Sequence, residues 1–366
     1  MEPVTQALLG AATGHLVAGR RIGRQALLFG AIVGMTPDLD VVLGGLHDGF
    51  GGWLYHRGTT HSLWFGFVAG PLVGLFLRNW RDPDHQTPLS AWVALATVAL
   101  VTHPILDGFT AYGTQFFAPF SRMRFAWNGV SIVDPIYTTL LGAGVAWAAS
   151  QKHSTNRGLK GIVLGLMLSS MYLGAGLAAN AWVVLDLEQV FTAEEGPPTR
   201  IRAYPTIFQP WLRHFVIHIG DRRYVGFHSL LDPGCPSWRI HVVPPTNPRI
   251  EATLESWEGQ LFTWFADGDI EIKEREMPFG TSVVLGDLRY SWARTDGRSM
   301  WGIEARFDTE GQLYEPIRRV GSSTSQDRDL VRILRIIGGQ LPNADEGWNR
   351  PSLCGGRPAD IAKRNS

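Results

Sequence analysis

The sequence predicts a multi-span α-helical membrane domain followed by a β-rich soluble domain. Two observations support this. Apolar runs alternate with short polar loops from Thr5 to about Leu187, and from Glu188 onward the composition is that of an ordinary soluble domain. We therefore predict a helical membrane domain at 1–187, a β-rich domain at 188–340 and a flexible tail at 341–366.

The apolar runs predict the number of helices. A helix that crosses a bilayer needs about 20 mostly apolar residues. Runs of about this length lie at 25–43, 62–78, 89–106, 130–150 and 160–185, with a shorter one at 5–19. The segments from Ile162 to Leu168 and from Met171 to Ala179 lack the polar stripe of a soluble core helix. We therefore expect five or six membrane helices rather than a large soluble helical core.

Charges in the loops predict the orientation. If each run spans, one side of the membrane receives eight basic residues and the other receives three. The eight are Arg20, Arg21, Arg24, Arg78, Arg81, Lys152, Arg157 and Lys160, and the three are Arg57, Arg122 and Arg124. The side richer in basic residues is usually cytoplasmic, so we expect a multi-pass protein whose C-terminal domain is extracytoplasmic.

The polar half alternates apolar and polar residues in the manner of β-strands. Strands are predicted at 213–219 and 223–227, joined by a turn at Gly220-Asp221. Further candidates lie at 238–243, 260–265, 270–273, 282–285 and 300–307, and a late helix lies at 326–337.

The two cysteines, Cys235 and Cys354, match neither a zinc spacing nor a redox pair. A long-range disulfide is compatible with an extracytoplasmic domain, and two unpaired core thiols are the alternative. The balanced net charge argues against nucleic acid as a partner.

Ionisable residues collect at the ends of three apolar runs, where such residues are costly and usually functional. Asp38 and Asp40 end the second run, His56, Arg57 and His61 precede the third, and His103 and Asp107 end the fourth. Alternating spans bring all three segments to the same face of the bilayer. We therefore expect them to form one site.

The residue types predict a metal site. His103 and Asp107 are four residues apart, so a helix projects both from one face. Mixed imidazole and carboxylate ligands suit Zn²⁺, Mn²⁺ or Fe²⁺, and the six candidates, Asp38, Asp40, His56, His61, His103 and Asp107, suffice for one or two ions. The alternatives are a Pro-Asp turn at Asp38 and Asp40, and a self-satisfied His103–Asp107 pair.

Other polar residues have weaker assignments. Arg57 is a candidate either for holding a substrate phosphate or carboxylate, or for anchoring to lipid headgroups. Asp134-Pro135 is typical of a helix N-cap followed by proline at the first helical position. His15 is a ligand or a packed histidine, and Thr110, Tyr112 and Ser121 are candidates for lining a pocket.

These segments resemble the bacterial membrane-bound metal-dependent hydrolase family, whose type is the LexA-regulated inner-membrane protein YdjM. The resemblance covers residues 1 to about 140, with the C-terminal half similar to the extension of longer members. The matching pieces are Glu2-Pro-Val-Thr, Pro37-Asp-Leu-Asp40, His56-Arg-Gly-Thr-Thr-His-Ser62, His103-Pro-Ile-Leu-Asp107, Tyr112-Gly113, Pro119-Phe-Ser121 and Val133-Asp-Pro135.

The resemblance implies a hydrolase in the bacterial inner membrane and, more distantly, a helical fold like that of phospholipase C and P1 nuclease. By that analogy Asp38, His61, His103 and Asp107 would be ligands, while Gln6 stands where members often carry histidine. We expect a metal-activated water to cleave a phosphoester or related bond of a lipid or amphipathic substrate, with Asp38, Arg57 and Asp107 as catalytic residues. The alternative is a metal-binding scaffold or a metal or ion transporter.

Overall fold

The computed structural model describes residues 1–45, 49–151, 156–232, 234–293, 299–321, 334–338, 341–342 and 347–354. The chain forms two compact units. The first comprises Met1–Ala178 with Ile207–Pro210, and the second comprises Ala179–Thr206 with Trp211–Ser366.

The first unit is helical. Its helices are α1 (Pro3–Ile22), α2 (Gln25–Met35), α3 (Asp40–Gly45), α4 (Gly51–Tyr55), α5 (Leu63–Arg81), α6 (Leu89–Gly108), α7 (Pro135–Ser150) and α8 (Asn156–Glu194), with 3-10 turns at Thr36–Leu39 and Thr59–His61. Helix α8 continues into the second unit. The expected cap of α7 is confirmed, because Asp134 accepts hydrogen bonds from the backbone N–H groups of Ile136 and Tyr137 and Pro135 takes the first helical position.

Among the described residues, three helical segments are long and apolar enough to cross a membrane: Gln25–Val42, Leu89–Gly108 and Asn156–Glu194. A fourth is possible if Gly51–His61 and Leu63–Arg81, which meet at a 59° bend, form one span. Helix length and composition therefore support fewer membrane spans than the five or six expected. The run at 130–150 yields only the 16 residues of α7, because the chain before Asp134 is not helical.

Glycine residues let α1 and α2 approach closely. A Cβ atom on Gly10 would lie 2.2 Å from the carbonyl oxygen of Gly30, and one on Gly34 would lie 2.9 Å from the Cα of Gly10. Small residues allow such contact between membrane helices. A core of Ala18, Phe29, Trp92, Leu95 and Leu100 packs α2 and α6 together, which brings the C-terminal ends of α2 and α6 into contact.

The second unit is β-rich, as expected. Strands β1 (Arg200–Pro205), β2 (Leu212–Ile219), β3 (Arg222–Ser229) and β4 (Ser237–Val242) form one antiparallel sheet in sequential order. Strands β5 (Ile270–Met277), β6 (Gly280–Asp287), β7 (Trp301–Phe307) and β8 (Arg318–Gly321) form another. Between them lie α9 (Pro248–Glu255) and α10 (Trp257–Phe265), and 3-10 turns occur at Leu288–Ala293 and Ser352–Cys354.

Most strand predictions agree with these elements, and the turn at Gly220-Asp221 joins β2 to β3. The strand predicted at 260–265 is wrong, because the segment belongs to α10. Ser256 caps that helix by accepting from the N–H of Gly259, and Leu261, Phe262 and Phe265 share its buried face. The late helix at 326–337 and the tail at 341–366 fall mostly outside the described residues, with 334–337 helical.

Cys235 and Cys354 form a disulfide bond that joins segments 119 residues apart. Of the two alternatives that the sequence leaves open, the structure contains the paired form.

Candidate metal centre

The first contribution to the site comes from the end of α2. Pro37 lies in the 3-10 turn Thr36–Leu39 that follows this helix. A proline fixes its own φ and lacks an N–H, so it suits the start of a new turn. Asp38 and Asp40 lie in and directly after this turn.

The second contribution comes from the segment between α4 and α5. Arg57 has a φ of 59°, in the left-handed region that non-glycine residues rarely adopt. The next turn, Thr59–His61, ends where Ser62 caps α5 by accepting from the N–H of Phe65. His61 is thereby buried, with no exposed side-chain surface.

The third contribution is the last turn of α6, where His103 and Asp107 lie on the same face as expected from their spacing. Both are buried, at 1% and 0% exposure. Four side chains from the three segments form one group: Asp38, His61, His103 and Asp107 each offer an atom within 4.8 Å of the others.

The facing atoms of this group are all suited to be ligands. His61 Nε2 lies 2.9 Å from His103 Nε2, 3.3 Å from Asp38 Oδ1 and 3.4 Å from Asp107 Oδ2. His103 Nε2 lies 3.5 Å from Asp38 Oδ1 and 3.6 Å from Asp107 Oδ2. Two imidazole nitrogens and two carboxylate oxygens therefore converge on one small volume.

Hydrogen bonds behind the group assign the tautomers of both histidines. His103 Nδ1 lies 2.6 Å from the carbonyl oxygen of Gly34, which can only accept, so Nδ1 carries the proton. His61 Nδ1 lies 3.1 Å from Asp40 Oδ2 and is assigned as a donor to that carboxylate. In the neutral rings, the Nε2 atom of each histidine then carries a lone pair that faces the other ring. Histidines that bind metals are commonly held in this way, with Nδ1 donating to an outer-shell partner.

Five of the six separations between the candidate ligand atoms are close to those around a single tetrahedral ion. With ligand bonds of about 2.0–2.1 Å, as for Zn²⁺ and imidazole or carboxylate, neighbouring ligand atoms are separated by about 3.3–3.4 Å. The five contacts above range from 2.9 to 3.6 Å. One carboxylate oxygen of Asp38 and one of Asp107 are also buried without a hydrogen-bond donor. A cation would compensate the charge on these two oxygens.

Two of the six predicted ligands, Asp40 and His56, lie outside this group of four. Asp40 Oδ1 lies 2.7 Å from His56 Nδ1, and its Oδ2 accepts from the Arg57 N–H at 3.0 Å and the Thr60 hydroxyl at 2.8 Å. Asp40 thus contacts His61 from behind. The described part of the chain contains one four-residue group of this kind.

Comparison with known proteins gives the family. The model of the YdjM inner membrane protein family matches residues 1–183, which include all of these site residues. The chain belongs to the YdjM family. It is 32% identical over 135 residues to the inner membrane protein YbcI of Escherichia coli (strain K12), covering 34% of this chain and 75% of YbcI.

A second relative is the uncharacterized protein YfhP of Bacillus subtilis (strain 168), 29% identical over 157 residues. That match covers 41% of this chain and 47% of YfhP, so the chain spans about half the length of this relative. No solved structure matches the chain. Family membership and the apolar helices together support a location in the inner membrane.

Arg57 of this YdjM family member is 4% exposed. Its guanidinium donates to the Thr110 hydroxyl at 2.9 Å, lies 3.2 Å from Asp107 Oδ1 and stacks over the ring of Tyr112. Of the three residues suggested to line a pocket, Thr110 and Tyr112 thus contact Arg57. The guanidinium faces the Asp107 carboxylate, so charge neutralisation of Asp107 is the role that the contacts favour.

The sequence did not single out Gly34 as part of the site, and it marked Gln6 only as a position where family members often carry histidine. Gln6 Nε2 donates to Asp107 Oδ1 at 3.1 Å, in the position where the family resemblance suggests a missing ligand. The amino group of Met1 also contacts Asp107 Oδ1. One oxygen of Asp107 is therefore surrounded by donors, while the other faces the two histidines. His15 is buried in α1 and is not a member of the four-residue group.

Proposed function

We propose that this YdjM family member is a membrane-bound metal-dependent hydrolase that cleaves a phosphoester or related bond of a lipid or amphipathic substrate. The observation that supports it is the convergence of Asp38, His61, His103 and Asp107, each of which offers a possible ligand atom within 4.8 Å of the others. Zn²⁺ is the ion that best matches two imidazoles and two carboxylates at these separations, and Mn²⁺ or Fe²⁺ is compatible with the same ligands. When bound, the ion would activate water and polarise the scissile group.

Residues of the chain would control substrate access and hold the candidate ligands in place. Asp38 is the most accessible member of the group, with 20% of its side chain exposed, against 1% or less for the other three. Substrate and water would therefore approach from the Asp38 side. Arg57, held by Thr110 and Tyr112, would keep Asp107 ionised and oriented, and Asp40 would hold His61 in the required tautomer.

One observation favours a non-catalytic metal-binding scaffold as a second candidate. Structural zinc sites are closed by four protein ligands, whereas catalytic sites keep a position open. Here four protein ligands are available, and three of them are almost fully buried. For catalysis, Asp38 would have to yield its position or the ion would have to accept a fifth ligand. A transporter is less well supported, because polar residues gather at one end of the helices instead of along a path.

We further propose that the chain is multi-pass, with the C-terminal domain outside the cytoplasm. The excess of basic residues at the ends of the helices opposite the site supports this orientation. The disulfide between Cys235 and Cys354 is also consistent with an oxidising compartment.

The test is metal content, measured by mass spectrometry on the full-length protein purified in detergent without chelators. We expect about one equivalent of metal per chain, as one tetrahedral site requires. His61→Ala with Asp107→Ala should remove it, and the control His56→Ala should retain it because His56 lies outside the group. If none of the three proteins contained metal, the result would contradict the proposed site.

Turnover then separates the two candidates. The metal-loaded protein would be screened against phosphodiester and phosphomonoester lipids in mixed micelles. Hydrolysis that disappears in the double variant supports the hydrolase. Stoichiometric metal with no hydrolysis, and a lower melting temperature on metal removal, supports the scaffold.

A further inference from the structure

A groove runs along the first unit between α7 and α8, and its lining includes none of the residues of the candidate metal centre. Its volume is about 470 Å³, within the range of about 300–1,000 Å³ that is typical of small-molecule sites. The side chains that line its length are apolar, including Leu140, Leu164 and Leu168.

Glycines form the closest approach of the two helices. A Cβ atom on Gly144 would lie 2.7 Å from the carbonyl oxygen of Gly161, and one on Gly165 would lie 3.1 Å from the Cα of Gly144. The larger side chains on either side extend further from the helix axes than these glycines, and an apolar groove lies between them. From Arg157 to Leu168 it follows about 17 Å of helix, at 1.5 Å per residue.

One end of the groove is positively charged. Arg157 and Lys160 both line it, and both are exposed near the start of α8. The first turn of this helix contains no acidic residue, and the N-terminal end of a helix carries partial positive charge of its own. An anion at this position would relieve the repulsion between these charges.

An aromatic residue lies at the same end. Trp147 lines the groove and is 57% exposed. Tryptophan is enriched at the level of lipid headgroups. The groove is thus apolar along its length and has a cationic end with an aromatic residue. The apolar length suits the acyl chain of a phospholipid, and the cationic end suits its phosphate.

We propose that this groove is a binding site for an anionic phospholipid, with one acyl chain between α7 and α8 and the headgroup phosphate at Arg157 and Lys160. The site is separate from the proposed hydrolase centre and shares no residue with it. It would select lipid by headgroup charge, because two cations at the end of an apolar groove attract an anionic headgroup more strongly than a zwitterionic one.

The experiment is native mass spectrometry of the full-length protein released from nanodiscs of phosphatidylglycerol and phosphatidylcholine in equal amounts. The wild type should retain phosphatidylglycerol preferentially. Arg157→Gln with Lys160→Gln should reduce that preference about tenfold to thirtyfold, since each basic residue near an anionic surface contributes on the order of a fivefold factor.

A matched control removes two basic residues at the same predicted face of the membrane. Arg20→Gln with Arg21→Gln should leave the preference unchanged, because these exposed residues of α1 do not line the groove. A separate variant, Ala143→Phe, should fill the groove while keeping its charges and should reduce the amount of bound lipid.

Three results would overturn the proposal. Equal retention of the two lipids by the wild type would mean that the headgroup is not selected. Equal loss in both pairs of charge variants would mean general attraction of anionic lipid to a basic face. Unchanged lipid retention by Ala143→Phe would mean that the acyl chain does not occupy the groove.

Discussion

His61 and His103 face each other with their Nε2 atoms 2.9 Å apart. Each ring is held from behind, His61 by Asp40 and His103 by the carbonyl oxygen of Gly34. With Nδ1 as the donor in both neutral rings, two lone pairs point toward each other beside two carboxylate oxygens. A proton on one ring would satisfy part of this cluster, whereas a divalent cation would satisfy all four atoms at once.

The position of Asp40 behind His61 leads to the first prediction. Asp40→Asn keeps the shape of the side chain but weakens its hold on the Nδ1 proton of His61. Loss of such an outer-shell partner typically lowers metal affinity by about 10–100-fold. Competition with a fluorescent chelator would measure the affinity. An affinity equal to that of the wild type would contradict the assigned role, and Thr60→Val, which spares the carboxylate, should have a smaller effect.

Arg57 provides the second prediction. Arg57→Gln removes the cation beside Asp107 and leaves a buried carboxylate with less compensation, which typically costs about 3–5 kcal/mol. We expect the metal-free variant to melt at a clearly lower temperature than the wild type, and added Zn²⁺ to recover part of the loss because it also neutralises Asp107. Thermal unfolding in detergent, with Arg20→Gln as an exposed control, measures both effects. Unchanged stability without metal would show that the pair with Asp107 is unimportant.

His214 in β2 gives a prediction about pH. Burial lowers the pKa of His214 to about 4, against about 6.5 for an ordinary histidine. Between these values the unfolded chain binds a proton that the folded chain does not, so stability is complete above pH 6.5 and decreases as the pH falls toward 4. From pH 7 to pH 5 the decrease amounts to at most about 2 kcal/mol.

The variant His214→Gln should flatten this part of the pH profile, because its amide can still donate to the Leu288 carbonyl that His214 Nε2 contacts at 2.9 Å. The measurement is urea unfolding of the full-length protein at several pH values, followed by tryptophan fluorescence. His85→Gln, at an exposed position, is the control. A wild-type profile that is flat between pH 4 and 6.5 would refute the effect of burial.

The disulfide yields the fourth prediction. Closing a loop of about 100 residues restricts the unfolded chain and contributes up to about 5 kcal/mol in the chain-entropy model. Cys235→Ser with Cys354→Ser should therefore lower the melting temperature of the second unit, and reduction of the wild type should do the same. Labelling with a thiol-reactive polymer before and after reduction checks the pairing. Two thiols that react fully without reductant would contradict it.

The sequence was sufficient to predict the division into a helical and a β-rich half, because apolar runs and alternating strands differ locally in composition and period. It also predicted that the three segments carrying Asp38, His61, His103 and Asp107 meet, since helix direction places them at one end, although it counted Asp40 and His56 among the ligands as well. The local pattern at 260–265 wrongly predicted a strand, because the segment is rich in aromatic residues while Ser256 starts a helix there.

Only the tertiary structure separated the residues that converge from those that support them. Asp40 and His56 are of the same residue types and lie in the same segments as the four grouped residues, yet they pair behind His61 instead of joining the group. Gln6 and Gly34 contact the site because glycines bring α1 and α2 together and the helical core packs α2 on α6. Distances of a few ångströms between segments far apart in the chain depend on that packing, which no local pattern encodes.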